Sequence, residues 1–390
     1  MSLFDLFRSS RPWFKASRQV VNVSPHVNGE NPAVAPATQD TLAAIGELSL
    51  VVKNNPDLVE IYLALGNLYR SQGEIERAVQ IRNSLIVRPG LDPRFKARAL
   101  YELGRDYKRG GFLDRSIQAF NEARKLGGDE EAIVRELATL AAESGEFERA
   151  AGLHAQLKQP VPQAHYLVRI GQKHFAAGDP KASAAWVAKA LKVHPGSVEV
   201  WLAKLSQALY NQHEKKLQSF LRTALSVVAP ELRFMLFDGL LYPSRAVQTV
   251  ASPPTVLSAD ETTRAAARNI LCDALIPIVE ESPPDILLVY YAALLLMACR
   301  DADRTMAWLD RTLVLEPDFW AGRLEILSLG LAQQDFSPVF KGQLEFFIGQ
   351  ARQLKRFICR SCGLKQEHIF FICPRCKSWH SIAFRTVLHD

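Results

Sequence analysis

The sequence predicts an all-α fold: helix–turn–helix pairs stacked as a right-handed superhelix, with a small metal-binding module after the last pair. Two observations predict it. A pattern of small and large residues recurs at intervals of about 34 residues. Near the end stand Cys359-Arg-Ser-Cys362-Gly363 and Cys373-Pro374-Arg-Cys376, two C-x-x-C pairs separated by a short loop. At 390 residues the chain exceeds one compact core, so an extended array or several domains is expected. Its 48% apolar content is ample for a buried core.

Residues 1–38 read as an amphipathic N-terminal segment and linker. Leu3, Phe4, Leu6, Phe7, Trp13 and Phe14 mix with Arg8, Arg11, Lys15 and Arg18. Residues 1–20 therefore suit peripheral contact with a membrane surface, the alternative being a helix docked on a partner. Residues 23–38, rich in Pro and Asn, read as the linker.

The repeat array is expected over residues 39–354. Residues 40–54 read as a lone helix at its front. Tyr62-x-x-Leu65-Gly66-x-x-Tyr69 is then followed by Gly73 and Ala78, and Leu100-x-x-Leu103-Gly104-x-x-Tyr107 by Gly111, Phe120 and Ala123. Val134-x-x-Leu137-Ala138 is followed by Gly145 and Ala150, and Leu167-x-x-Ile170-Gly171 by Gly178 and Ala190. Gly111, Gly145 and Gly178 lie 34 and 33 residues apart, the tetratricopeptide period. Small residues such as Gly66, Gly104, Ala138 and Gly171 let the paired helix come close. The later glycines suit turns that need positive φ. Pro56, Pro195, Pro230 and Pro317 end second helices.

Weaker units follow. Residues 201–230 read as a repeat whose turn glycine is replaced by Gln212, and residues 289–317 as another. Residues 231–260, with Tyr242-Pro243 and Ser252-Pro253-Pro254, read as an irregular insertion. Residues 319–334 and 343–354 read as closing helices. The longest apolar run, residues 286–299, is 14 residues long, too short to span a bilayer, and reads as a buried repeat helix. Arrays of this kind hold protein partners on a concave face; self-association into a homo-oligomer is open.

Residues 355–390 are expected to form a rubredoxin-like metal-binding module. Cys359, Cys362, Cys373 and Cys376 can supply four thiolates to one tetrahedral metal ion, iron or zinc. All four positions are cysteine, so no position is left for a water or substrate, which favours a structural clip. Phe357, Phe370, Phe371 and Trp379 can build a small dry shell. His368 and His380 read as surface or hairpin residues. His26, His154, His165, His174, His194 and His213 lack ligand spacing and read as repeat or surface residues. Cys272 and Cys299 sit in apolar helical surroundings and read as buried free thiols. The pattern fits a reducing compartment better than a disulfide framework.

The chain's formal net charge is +6. From Ala351 onward, eight basic residues stand against Glu367 and Asp390, so the whole excess belongs to the module. That weakens any reading in which the protein coats nucleic acid, though a nucleic-acid-binding ribbon and rubredoxin-like electron transfer stay as alternatives. No P-loop, dinucleotide glycine fingerprint, H-E-x-x-H or G-x-S-x-G is present, and no enzyme activity is expected.

The combination is more specific than its parts. Asn55-Pro56-Asp57 through Asn67-Leu68, with Arg70 and Gly73-Glu74, resembles the first full repeat of the lipopolysaccharide assembly protein B family. So do Glu102-Leu103-Gly104-Arg105-Asp106-Tyr107 and the run from Gly111 to Arg115. The end resembles it too: Cys-x-x-Cys-Gly, ten residues, then Cys-Pro-x-Cys-x-x-Trp, here Cys359 to Trp379. The resemblance implies tetratricopeptide repeats with a rubredoxin-type tail docked on them, and metal ligands at Cys359, Cys362, Cys373 and Cys376. It implies a non-catalytic adaptor at the cytoplasmic face of the inner membrane, acting with the membrane-bound AAA protease FtsH on its substrate, the deacetylase LpxC, to set lipopolysaccharide amount. Family members begin with a transmembrane helix; here no 18-residue apolar span is found, so a cytoplasmic protein, peripheral at the inner membrane, is expected.

Overall fold

The computed structural model describes residues 39–54, 58–242 and 261–388. The segment expected to touch a membrane and its linker lie outside the described residues. The chain divides into two compact units, residues 1–88 and 89–390.

In the first unit, α1 (Gln39–Asn54) precedes the helix pair α2 (Val59–Ser71) and α3 (Ile75–Ile86). The pair closes over Gly66, where an added Cβ would lie 2.8 Å from the Arg82 guanidinium carbon. Arg82 is fully buried there and donates to the Leu63 carbonyl oxygen at 3.0 Å and to Asn67 Oδ1 at 2.6 Å.

The second unit opens with four further helix pairs. These are α4 (Pro93–Arg109) with α5 (Leu113–Lys125), α6 (Glu130–Glu143) with α7 (Phe147–Gln156), α8 (Pro160–Ala176) with α9 (Pro180–Val193), and α10 (Val198–Tyr210) with α11 (Glu214–Val227). Local chemistry sets their ends. Asp92, Asp129, Asp179 and Ser197 each accept an N–H of the first helical turn. At the turns, Gly111, Gly145 and Gly178 hold φ near +75°, with values of 79°, 73° and 83°. The residue after each closes back on the preceding helix: Phe112 to Tyr107, Glu146 to Ala141 and Asp179 to His174. Gln212, read from sequence as standing in for glycine, takes φ 54° and the same closing bond forms from His213 to Ala208.

A 3-10 turn (Pro230–Leu232) and α12 (Phe234–Leu241) follow. This departs from the irregular insertion expected over 231–260. Every residue from Phe234 to Leu240 is buried. The remainder of that insertion, residues 243–260, lies outside the described residues. The array then continues through α13 (Glu261–Glu281), α14 (Ile286–Ala298), α15 (Ala302–Leu315), α16 (Trp320–Gln333) and α17 (Pro338–Arg352). Helix α14 is the apolar run noted above, buried from Leu288 to Leu296. No helix among the described residues is long and apolar enough to cross a membrane.

The chain ends in a three-stranded antiparallel sheet, order β2-β1-β3, built from β1 (Phe357–Cys359), β2 (Lys365–Gln366) and β3 (Ile382–Phe384). Phe357 pairs with Gln366 on one side and Phe384 on the other. Each unit is thus built of tetratricopeptide-type helix pairs, and the second ends in a small cysteine-bearing module.

Candidate metal centre

Two turns of similar design bring the four cysteines together. In the first, Gly363 at φ 69° donates to the Cys359 carbonyl oxygen at 2.9 Å, and Cys359 N–H closes on Leu364 at 2.9 Å. In the second, Lys377 at φ 59° donates to the Cys373 carbonyl oxygen at 2.9 Å, and Cys373 N–H closes on Ser378 at 2.9 Å. Glycine makes the first turn readable from sequence. The second hides its left-handed residue behind a lysine.

The four Sγ atoms all lie within 4.8 Å of one another. Cys359 Sγ is 3.7 Å from Cys376 Sγ, and Cys362 Sγ is 3.6 Å from Cys373 Sγ. Four sulfurs about 2.3 Å from one tetrahedral ion stand roughly 3.8 Å apart, so the cluster fits a single ion. Burial is graded across the site: Cys359 and Cys373 are buried, Cys362 is half-buried and Cys376 is exposed.

The surroundings favour negative sulfur at Cys359 and Cys376. Burial pushes the Cys359 thiol up, but the Ser381 hydroxyl, the N–H groups of Cys362 and Ser361, and the Ser378 hydroxyl outweigh it and bring it to about 5. Ser381 Oγ lies 3.1 Å from Cys359 Sγ, and Ser378 Oγ 2.9 Å from Cys376 Sγ. The Ser378 hydroxyl, aided by its own N–H, lowers Cys376. Burial instead pushes Cys373 up, against the N–H groups of Cys376 and Arg375. A bound divalent ion would hold all four as thiolates regardless.

The shell around the cysteines is only partly the module's own. Phe357, Phe370 and Phe371 are buried, as the sequence suggested. Phe357, however, stacks on Phe234 of α12 at 5.8 Å. Phe384 meets Tyr290 of α14 at 5.9 Å and Phe319 at 6.0 Å. Trp320 Nε1 donates to the Arg385 carbonyl oxygen at 2.7 Å. Trp379 packs against the array. Its ring sits against His154, His165 and Tyr166 of the array, at 6.4, 5.1 and 6.0 Å between centroids.

His380 is a correction to the sequence reading. Read as a surface or hairpin residue, it is mostly buried, takes φ 47°, and its Nε2 lies 2.9 and 3.0 Å from the two carboxylate oxygens of Glu199. Glu199, 1% exposed at the start of α10, also meets His165 Nδ1 at 3.2 Å and accepts from Ser197 Oγ at 3.1 Å. His165 and His154, read as repeat or surface residues, are buried on the repeat helices α8 and α7. Sequence reasoning missed this clasp. Its one local signal is the acidic residue inside the apolar run Val198-Glu199-Val200-Trp201-Leu202.

The tail's charge is also partly answered. Arg352 and Arg356 reach the buried carboxylate of Glu325 on α16 at 3.2 and 3.7 Å. Arg385 is buried, and its guanidinium donates to the carbonyl oxygens of Lys355 and Leu388.

Several known proteins are similar to this chain. The tetratricopeptide repeat family model matches residues 101–165. Lipopolysaccharide assembly protein B of Escherichia coli strain K12 is 23% identical over 343 residues, covering 85% of this chain and 82% of that protein. The protein of the same name from Haemophilus influenzae is 27% identical over 171 residues, covering 42% of this chain and 43% of that one. Among solved structures, a tetratricopeptide repeat protein from Parabacteroides merdae is 14% identical, with a TM-score of 0.31, covering 79% of this chain and 99% of that chain. The resemblance drawn from the sequence is borne out by the similarity to lipopolysaccharide assembly protein B.

Proposed function

We propose that the protein is a non-catalytic adaptor that sets lipopolysaccharide amount by presenting the deacetylase LpxC to the membrane protease FtsH at the cytoplasmic face of the inner membrane. The observation that carries this reading is the similarity to lipopolysaccharide assembly protein B across 85% of the chain. Helix-pair stacks hold other proteins on extended surfaces, which suits the role. The paired arginines of the tail favour a protein-holding module over a nucleic-acid ribbon, because part of its charge is already matched by Glu325. Depleting the protein is expected to change both deacetylase level and lipopolysaccharide amount. If both stay constant, the adaptor role is wrong.

Cys359, Cys362, Cys373 and Cys376 are the proposed ligands of one structural metal ion, zinc or iron. When bound, the ion would tie the two cysteine turns together and add its binding energy to folding. Cys373→Ser is expected to lower metal content and stability; native mass spectrometry showing one ion still retained would remove the assignment. The peripheral membrane contact proposed for residues 1–20 predicts that deleting them releases the protein from membrane fractions. A full-length protein found wholly in the soluble fraction would contradict it.

A further inference from the structure

A groove of about 450 Å³ lies between α9, α10 and α11, away from the cysteines. Each helix presents one face to it. The spacing shows this: Ala184, Val187, Ala188 and Leu191 recur at three and four residues on α9, as do Lys204, Gln207 and Ala208 on α10, with Asn211 capping its end. Val187 and Ala208 form a buried floor, flanked by half-buried Leu191 and Phe220. Ala184 and Ala188 are exposed and small, so the groove stays open along α9.

The rim has one sign of charge. Lys192, His213 and Lys216 are exposed at its edge. Lys204 lies across the aromatic wall, its Nζ 4.3 Å from the Phe220 ring centroid and 4.9 Å from that of Trp201. No acidic side chain lines the groove among the described residues. An apolar floor under an all-basic rim is complementary to a ligand with an apolar stripe and acidic flanks. A fully apolar partner would leave the lysines unmatched, and a basic one would be repelled.

We infer that this groove docks an acidic amphipathic helix from a partner protein. The inference rests on the adaptor reading and adds to it where, and by what chemistry, one partner is held. Apolar side chains of the helix fill the space over Val187 and Ala208, and its carboxylates meet Lys192, Lys204 and Lys216.

The test uses the full chain and a fluorescent peptide of about four helical turns, with Leu at helical spacing and Glu elsewhere. Controls are a scrambled peptide of equal composition, a peptide with Lys in place of Glu, and vesicles containing phosphatidylglycerol. The Leu/Glu peptide is expected to bind best, with affinity falling at least about tenfold in Lys192→Glu/Lys216→Glu and falling with added salt. Both lysines are exposed, and circular dichroism checks that the double variant stays folded. Unchanged affinity in the double variant, equal binding of the scrambled or Lys peptide, or binding of vesicles without binding of the peptide each overturns the inference. If the peptide fails to bind while deacetylase and lipopolysaccharide levels still respond to the protein, the groove assignment falls and the adaptor reading stands.

Discussion

Glu199 holds its charge out of water because three neighbours bind it. Burial alone would push its carboxyl up, but His380, and after it His165, outweigh that and hold it far below its ordinary 4.5. Burial likewise opposes a charge on His380, and Glu199 overcomes it, raising His380 above its ordinary 6.5. The signs fix a pH window. The depressed Glu199 contributes stability above about pH 4.5, lost as pH falls through its folded value. The raised His380 contributes stability below 6.5, lost as pH rises through its folded value. The clasp is therefore strongest between the two. His380→Ala leaves a buried carboxylate short of a partner and is expected to cost about 3 kcal/mol near pH 6. Its difference in melting temperature from the unaltered protein should shrink as pH rises above 6.5 and through the raised folded value of His380; a constant difference over that range would show that charge plays no part. Glu199 and His380 stand 181 residues apart, so nothing local in the sequence pairs them.

The elements were far more legible. Helix pairs announce themselves through local signals: Asp before the first turn, glycine at the loop, a small residue facing a large one. At Gly104 an added Cβ would lie 2.8 Å from the Phe120 ring, which fills the space glycine leaves. Gly104→Val is expected to destabilise by about 1–3 kcal/mol in chemical denaturation. At Gln212 the reverse holds. Its φ of 54° strains any residue but glycine, so Gln212→Gly is expected to stabilise by about 1 kcal/mol. A lower denaturation midpoint for that variant would contradict the turn geometry. Helix α12 was not legible, for a physical reason. Phe234–Leu241 is only 8 residues long, apolar on every side save for Asp238, and bounded by prolines, so it carries no helical period and reads as a loop. Its burial comes from tertiary contact with the cysteine module and neighbouring helices.

On the scale of the molecule, the array from α10 onward shares one core with the module. Phe234, Tyr290, Phe319, Phe357, Phe371 and Phe384 belong to a single buried cluster. The two cysteine pairs were plain in the sequence because ligands for one ion would need such a fixed spacing. Their attachment was not, because docking surfaces have no spacing rule. A segment this short, with three strands of two or three residues, has little core of its own. It borrows one from α12, α14 and α16, and the array in turn is covered by it. Trp379→Ala is accordingly expected to cost about 3 kcal/mol and to open the module to proteolysis, while leaving metal content intact. Loss of metal in that variant would mean that Trp379 supports the cysteines rather than the docking.

The central claim is that the cysteine centre and the repeat array form one cooperative structure. Hydrogen exchange of the full chain, with metal bound and after chelation, tests it most directly. Chelation is expected to lower protection together in residues 357–388, in α12, and in the His165 and Glu199 segments of α8 and α10. Loss of protection confined to residues 357–388, with the array unchanged, would contradict it.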